Sequence, residues 1–202
     1  MPIRRHSART LARVIAWYMP HSLVACNLQC TRLGGVDRDR FAAMHCSIAR
    51  TAGIVGDPWT LLVLRDLFLG VNRYEELRRD LGIATNMLAD RLERLVTDGL
   101  VVRRRYEQRP PRDEFLLTPR GRDLFTVALT VMAWGDRHEA PEGPPMRLRH
   151  EGCGQPATPR VTCDQCGGEL HLDNVTVLPG PGGRDAPGTT VVAERLLRRR
   201  TG

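Results

Sequence analysis

The sequence predicts a mainly α chain with one small β hairpin, followed by a small β module that lacks an apolar core. Three observations predict it. Apolar residues recur at helical spacing in successive segments between Cys46 and Trp134. That period gives way to alternation around Leu100–Thr118. Beyond Pro145 the apolar pattern fades, and two similar turns appear, His150-Glu151-Gly152-Cys153 and Cys163-Asp164-Gln165-Cys166.

The first helix is predicted over Cys46–Val55, with Ile48, Ala52 and Val55 inward. Gly56-Asp57-Pro58 breaks it. Asp57 suits the cap of the next helix, and Pro58 its first position, where no intrahelical N–H is needed. That helix, Trp59–Leu69, is apolar on much of its surface through Leu61, Leu62, Leu64, Leu67 and Phe68, which puts it at the centre. A third helix spans Arg73–Leu81, with Tyr74, Leu77 and Leu81 inward. Thr85 is expected to cap a fourth, which runs to Asp98 with Leu88, Leu92, Leu95 and Val96 as its core stripe. Leu100–Tyr106 and Asp113–Thr118 read as strands joined by the Pro-stiffened segment Glu107–Arg112, a hairpin with a basic tip. Thr118-Pro119 starts a last helix, which carries Leu124, Ala128, Val131 and Met132 and reaches Trp134. Helix, helix, helix-turn-helix, hairpin, helix is the order of a winged helix-turn-helix domain, assigned to 44–140.

Residues 1–43 form a basic N-terminal extension. Leu23–Cys26 looks like a lipoprotein cleavage box, but Arg13, Pro20 and His21 interrupt the apolar stretch a signal needs. Met44 offers an alternative start just before the first helix. Pro141–Pro145 is a linker by its Pro and Gly content. Residues 146–178 form a zinc-ribbon-like module, and 179–202 a flexible Arg-rich tail.

The chain has 202 residues and a formal charge of +7, with Arg supplying every basic side chain counted as Lys+Arg. That balance favours a polyanionic partner. No apolar run reaches the roughly 18–20 residues of a membrane span. Six Cys are present, and a CxxC beside Gly reads as metal chemistry in a reducing, cytoplasmic compartment. There is no Ser/His/Asp order, phosphate loop, open metal position or carboxylate pair, so an enzyme is not expected.

The second helix of a helix-turn-helix enters the major groove, here Thr85–Asp98. Thr85, Asn86 and Met87 lie at its N-terminus, where base edges and phosphates are reached. Arg91 follows one turn on, and Arg94 can reach the backbone. Asp90 and Glu93 keep the whole face from lying on phosphate. In the hairpin, Arg103, Arg104, Arg105, Arg109 and Arg112 surround Glu107. Arg109 and Arg112 at the tip suit phosphate or a minor groove; a charged edge that only protects the strand is the alternative. His150, Cys153, Cys163 and Cys166 would complete a tetrahedral structural zinc site, with His171 a rival fourth ligand and free thiols or a disulfide the alternatives. A metal would explain how so small a module holds together.

Taken in order, Cys46-Ser47-Ile48-Ala49-Arg50, Gly56–Leu67, Arg73-Tyr74-Glu75-Glu76-Leu77, Leu88–Leu95, Gly99-Leu100-Val101, Pro110–Phe115 and Leu117–Gly121 resemble the HxlR-type winged-helix regulators, relatives of the MarR group. The resemblance spans most of 46–137. It implies a homodimeric bacterial regulator of double-stranded DNA, binding an inverted-repeat operator near its promoter and dimerising through its first helix and the helix after the wing. It also places Cys46 where some members sense oxidants or electrophiles. Ser47 departs from the Pro often found next, and a buried packing cysteine is the alternative. A small-molecule or oxidant effector belongs to the same expectation, and a membrane partner does not. The second reading is a zinc-dependent protein-interaction module that uses the winged helix as a scaffold.

Overall fold

In the computed structural model, which describes residues 38–200, α1 (Arg38–Ala43) and α2 (Ser47–Val55) lead into α3 (Pro58–Phe68), α4 (Tyr74–Leu81) and α5 (Thr85–Thr97). A hairpin of β1 (Val101–Gln108) and β2 (Pro111–Leu117) follows, then α6 (Pro119–His138). The two-residue strands β3 (Leu148–Arg149) and β4 (Pro156–Ala157) and the helix α7 (Thr190–Arg200) complete it. The chain is therefore mainly helical with small antiparallel sheets, and residues 44–138 carry the winged-helix order. The cleavage-box motif at Leu23–Cys26 lies outside the described residues. No helix among the described residues is long and apolar enough to cross a membrane.

The helix starts show why the elements lie where they do. Asp57 accepts a hydrogen bond from the Thr60 N–H at 3.1 Å, and Pro58 fills the first position of α3. Thr118 does the same for α6: its hydroxyl oxygen accepts from the Gly121 N–H at 3.0 Å, ahead of Pro119. Thr85 does not cap α5. Ala84 holds that position without a side-chain bond, and Thr85 is the first helical residue.

The core is the meeting of α3, α4 and α5 under the hairpin. Val63, Leu64, Leu77, Leu88, Leu92, Leu95, Leu100 and Val101 are almost fully buried, with Phe115 of β2 closing one side. Each such side chain contributes about 1.5–3 kcal/mol on leaving water. Leu61, Leu62 and Phe68 of α3 are only half-buried. Phe68 meets Phe125 of α6 edge to face at 5.1 Å. Asp66 is a buried exception, 1% exposed. Burial pushes its carboxyl above the ordinary range against the pull of Arg65, and its Oδ2 has no hydrogen-bond partner among the described residues.

β1 and β2 pair from Val101↔Leu117 to Gln108↔Pro111 with an irregularity between Arg105 and Glu107. The hairpin thus reaches further than its sequence indicates, and the tip narrows to Arg109-Pro110. The segment before α4 adds a short rung on β2, through the Phe115 N–H to the Asn72 carbonyl at 2.8 Å and the Arg73↔Glu114 bridge. α5, the hairpin and α6 converge at Leu100. Its N–H donates to the Leu95 carbonyl, and its own carbonyl accepts from the Thr118 N–H at 3.0 Å. A Cβ on Gly121 would come within 2.0 Å of that carbonyl oxygen. Gly121→Ala is therefore expected to cost at least about 2 kcal/mol through a forced backbone shift, measured as a lowered urea midpoint at unchanged slope.

Three surface facts bear on the sequence reading. Ile48 points outward and is 80% exposed, and Val127, Val131 and Trp134 form an exposed apolar stripe along α6. Residues 190–200, within the segment read as a flexible tail, are helical. That helix brings Val192, Ala193 and Leu196 to a hollow of about 230 Å³ which also includes His45 and Cys46. Cys46 itself is a half-buried free thiol at the N-cap of α2.

Candidate nucleic-acid interface

α5 offers water a narrow stripe. Thr85, Asn86, Ala89, Glu93 and Thr97 are exposed, whereas Met87 is half-buried and packs against the core. With only Ala84 before it, the first turn keeps backbone N–H groups free of a side-chain cap. The outward chemistry of the helix is thus concentrated at Thr85 and Asn86.

The two arginines assigned to this helix are both held by carboxylates of the same chain, Arg91 more deeply than Arg94. Arg91 is 12% exposed and holds Asp57 with two hydrogen bonds, Nε to Oδ1 at 2.8 Å and Nη2 to Oδ2 at 2.9 Å, and it also bonds Asp90. Arg94 bonds Asp90 at 3.1 Å and lines a crevice with Arg38, Asp57 and Asp98, on the side of α1 and α2. Arg91 is thus an internal tie, whereas Arg94 makes a half-exposed pair within its own helix. Helical counting places them outward, but it does not see Asp57, 34 positions away, whose side chain waits at the start of α3. Burial alone would raise the Asp57 carboxyl. The Arg91 hydrogen bonds, with those from the Thr60 and Trp59 N–H groups, outweigh it and hold the carboxyl below its ordinary value.

The wing carries less free charge than a count of arginines indicates. Arg104 pairs with Glu114 at 2.6 Å, Arg105 with Asp113 at 3.0 Å, Arg112 with Glu107 at 3.3 Å, and Arg103 with Glu93 of α5 at 3.1 Å. Glu107 is therefore not the only acid among them, because β2 brings Asp113 and Glu114 opposite β1. Arg109, exposed at the tip, has no ion pair among the described residues.

The N-terminus of α4 joins the two parts. The Tyr74 hydroxyl donates to the Thr85 carbonyl at 2.8 Å, at the start of α5. The adjacent Arg73 guanidinium lies 4.7 Å over the Tyr106 ring in β1. Arg73, Tyr74 and Glu76 face Arg103, Tyr106 and Arg112 across an open cleft of about 670 Å³. Arg73 and Tyr106 are the residues that sequence reasoning missed. Their signal is slight, a cation before a helix and an aromatic in a strand.

Away from this surface, the sequence-predicted metal ligands fall into two pairs. His150 Nδ1 lies 3.4 Å from Cys153 Sγ. Cys163 and Cys166 share the second turn, where the backbone N–H groups of Cys166 and Gln165 lower the Cys163 thiol from its ordinary value. Among the described residues no three His, Cys, Asp or Glu side chains converge on one point.

Similarity to known proteins follows the same outline. The family model for an HxlR-like helix-turn-helix matches residues 54–142. An uncharacterised HTH-type transcriptional regulator of Mycobacterium tuberculosis is 48% identical over 137 residues, which is 67% of this chain and 87% of that protein. Among solved structures, PA1607, a candidate transcription factor, superposes with a TM-score of 0.61 at 33% identity, over 68% of this chain and 97% of its own. A candidate transcription factor of Pseudomonas aeruginosa gives 0.50 at 35% identity, over 76% and 99%. Identity at that level over nearly the whole of the relatives, on the same order of elements, makes this chain a transcriptional regulator of the HxlR-like helix-turn-helix family.

Proposed function

We propose that the protein binds an inverted-repeat operator in double-stranded DNA as a homodimer. The first turn of α5 meets major-groove base edges through Thr85 and Asn86, and the wing tip grips the flanking backbone through Arg109 and Arg112. The observation that carries this reading is the α4 junction. Tyr74 and Arg73 hold the start of α5 and the wing on either side of one cleft. Asn suits adenine bidentately, while free N–H groups and arginines suit phosphate. Arg112 needs only to exchange Glu107 for a phosphate.

Dimerisation through α6 and α2 accounts for the exposed stripe of Val127, Val131 and Trp134 and for Ile48. A helix that keeps one apolar face in water lacks the partner that would cover it. An oxidant effector that modified Cys46, at the head of α2, would act on the same helix. If Cys46→Ser leaves the oxidant sensitivity of DNA binding unchanged, that part of the proposal fails.

The test is a gel shift on the inverted repeat upstream of the protein's own gene. The wild type should prefer it over random duplex by at least about 1,000-fold. Asn86→Ala should cost about 1–3 kcal/mol on the operator and little on random DNA. Arg109→Ala with Arg112→Ala should weaken both alike and lower the salt slope by about 1–2. Equal affinity for operator and random duplex overturns sequence-specific binding. A wing variant without effect on DNA or regulation favours the protein-scaffold reading.

A further inference from the structure

Residues 146–178 hold two turns built alike. His150 and Cys163, Cys153 and Cys166, Gly154 and Gly167, and Gln155 and Gly168 correspond at a constant offset of 13 positions. The backbone repeats with them. The N–H of the first residue donates to the carbonyl five positions on, His150 to Gln155 at 2.9 Å and Cys163 to Gly168 at 2.8 Å. The carbonyl of that residue accepts from the glycine, Gly154 to His150 at 2.7 Å and Gly167 to Cys163 at 2.8 Å. Both glycines are left-handed, with φ of 69° and 72°. Each turn sits in antiparallel pairing, Arg149↔Pro156 in one and Thr162↔Glu169 in the other.

We propose that these turns are the two knuckles of a structural zinc site, with His150, Cys153, Cys163 and Cys166 as ligands. Zinc–nitrogen and zinc–sulfur bonds of about 2.0 and 2.3 Å at a tetrahedral angle put two ligands about 3.5 Å apart. The Nδ1–Sγ separation in the first knuckle is 3.4 Å. Gly152 leaves room for the His150 ring. A Cβ on Gly152 would meet the His150 ring at 2.9 Å, and one on Gly168 would lie 3.4 Å from Cys166 Sγ. His171 is turned elsewhere, with its Nε2 4.0 Å from Glu169 and its backbone N–H on the Asn174 side chain at 2.7 Å. Three thiolates and one imidazole are a soft donor set that selects zinc over magnesium or calcium.

The module needs such a tie. No residue from 146 to 178 is buried, and Leu172 is 94% exposed. Apolar burial therefore does not order it, whereas a metal that bridges two turns does. The first pair is in contact and the second turn repeats its backbone; binding would draw the two knuckles together around one ion as the three thiols release their protons. The clamp would also fix β3 where Met146 and Leu148 line one hollow with Leu129 and Met132 of α6.

The test is elemental analysis of the full chain purified from zinc-supplemented culture without chelator. One zinc per chain is expected. Cys163→Ser and Cys166→Ser should each hold less than about one tenth of that, His150→Ala should lower affinity at least about 10-fold, and His171→Ala should keep the metal. Cobalt exchanged into the wild type should show tetrahedral visible bands, which decides the matter even where a serine variant aggregates. Chelation should make 146–178 protease-sensitive and leave 44–140 intact. A wild-type chain without zinc overturns the site, as does a Cys163–Cys166 disulfide found by intact mass and alkylation. So does full zinc retention by Cys163→Ser. Loss of operator binding with zinc still bound would count against the proposed function and leave this site standing.

Discussion

Asp57→Ala is expected to lose about 3 kcal/mol of stability, because one side chain does two jobs at the core. It caps α3 through the Thr60 N–H and holds Arg91 with two hydrogen bonds. The cap alone is worth about 1 kcal/mol. The remainder comes from leaving a mostly buried guanidinium without its main partner, reduced from the fully buried case because Asp57 keeps 26% of its surface. Asp57→Asn separates the two effects, since Asn caps as well as Asp but carries no charge. It should lose about 1–2 kcal/mol. The acid limb gives a second check. The folded Asp57 carboxyl lies below its ordinary value. Its contribution is therefore complete above the ordinary carboxylate range and fades as pH falls through the lower folded value. Asp57→Asn should narrow its gap to the wild type as the pH drops below about 4. Urea titrations at pH 7 and at descending acid pH would measure this; a gap that stays constant would refute the ion pair's role.

Val131→Asp with Trp134→Asp is expected to yield a monomer that keeps its fold and loses most of its operator affinity. Trp134 is 57% exposed and Val131 is 48% exposed, so neither is needed by the core of its own chain. A pair of carboxylates at the centre of a two-fold interface meets its own copy, and like charges there cannot be separated from one another. Loss of the linked second half-site should lower operator affinity at least about 100-fold. Light scattering on a sizing column gives the mass, and circular dichroism confirms the helices. An unchanged dimer would show that α6 is not the interface. A monomer with full operator affinity would show that DNA binding does not need it.

Much of the fold is legible in the sequence because it is written in local chemistry. Asp57-Pro58 and Thr118-Pro119 mark helix starts, and the spacing of Leu88, Leu92 and Leu95 marks a buried face without reference to the rest of the chain. The site is less legible because its assignments depend on distant partners. Arg91 looks outward until Asp57 is placed beside it. The wing looks strongly cationic until the register sets Glu114 against Arg104 and Asp113 against Arg105. Ile48 illustrates a different limit. Periodicity identifies an apolar stripe, but it does not say whether the same chain or a second copy covers it. The His150 and Cys163 turns are legible because both need the same spacing and the same following glycine.

The meeting at Leu100 has a mechanical consequence. The end of α5, the root of the wing and the start of α6 are tied at Leu100, by its N–H to the Leu95 carbonyl, by its own carbonyl to the Thr118 N–H, and by the close approach of Gly121 to that carbonyl. In the proposed dimer built on α6, these ties would carry a movement of the subunit contact to the start of α5 and the wing, like the jaw of a caliper. An effector that tilted one α6 against its mate would alter the span between the two heads. The operator would sense that span as a mismatch in half-site spacing.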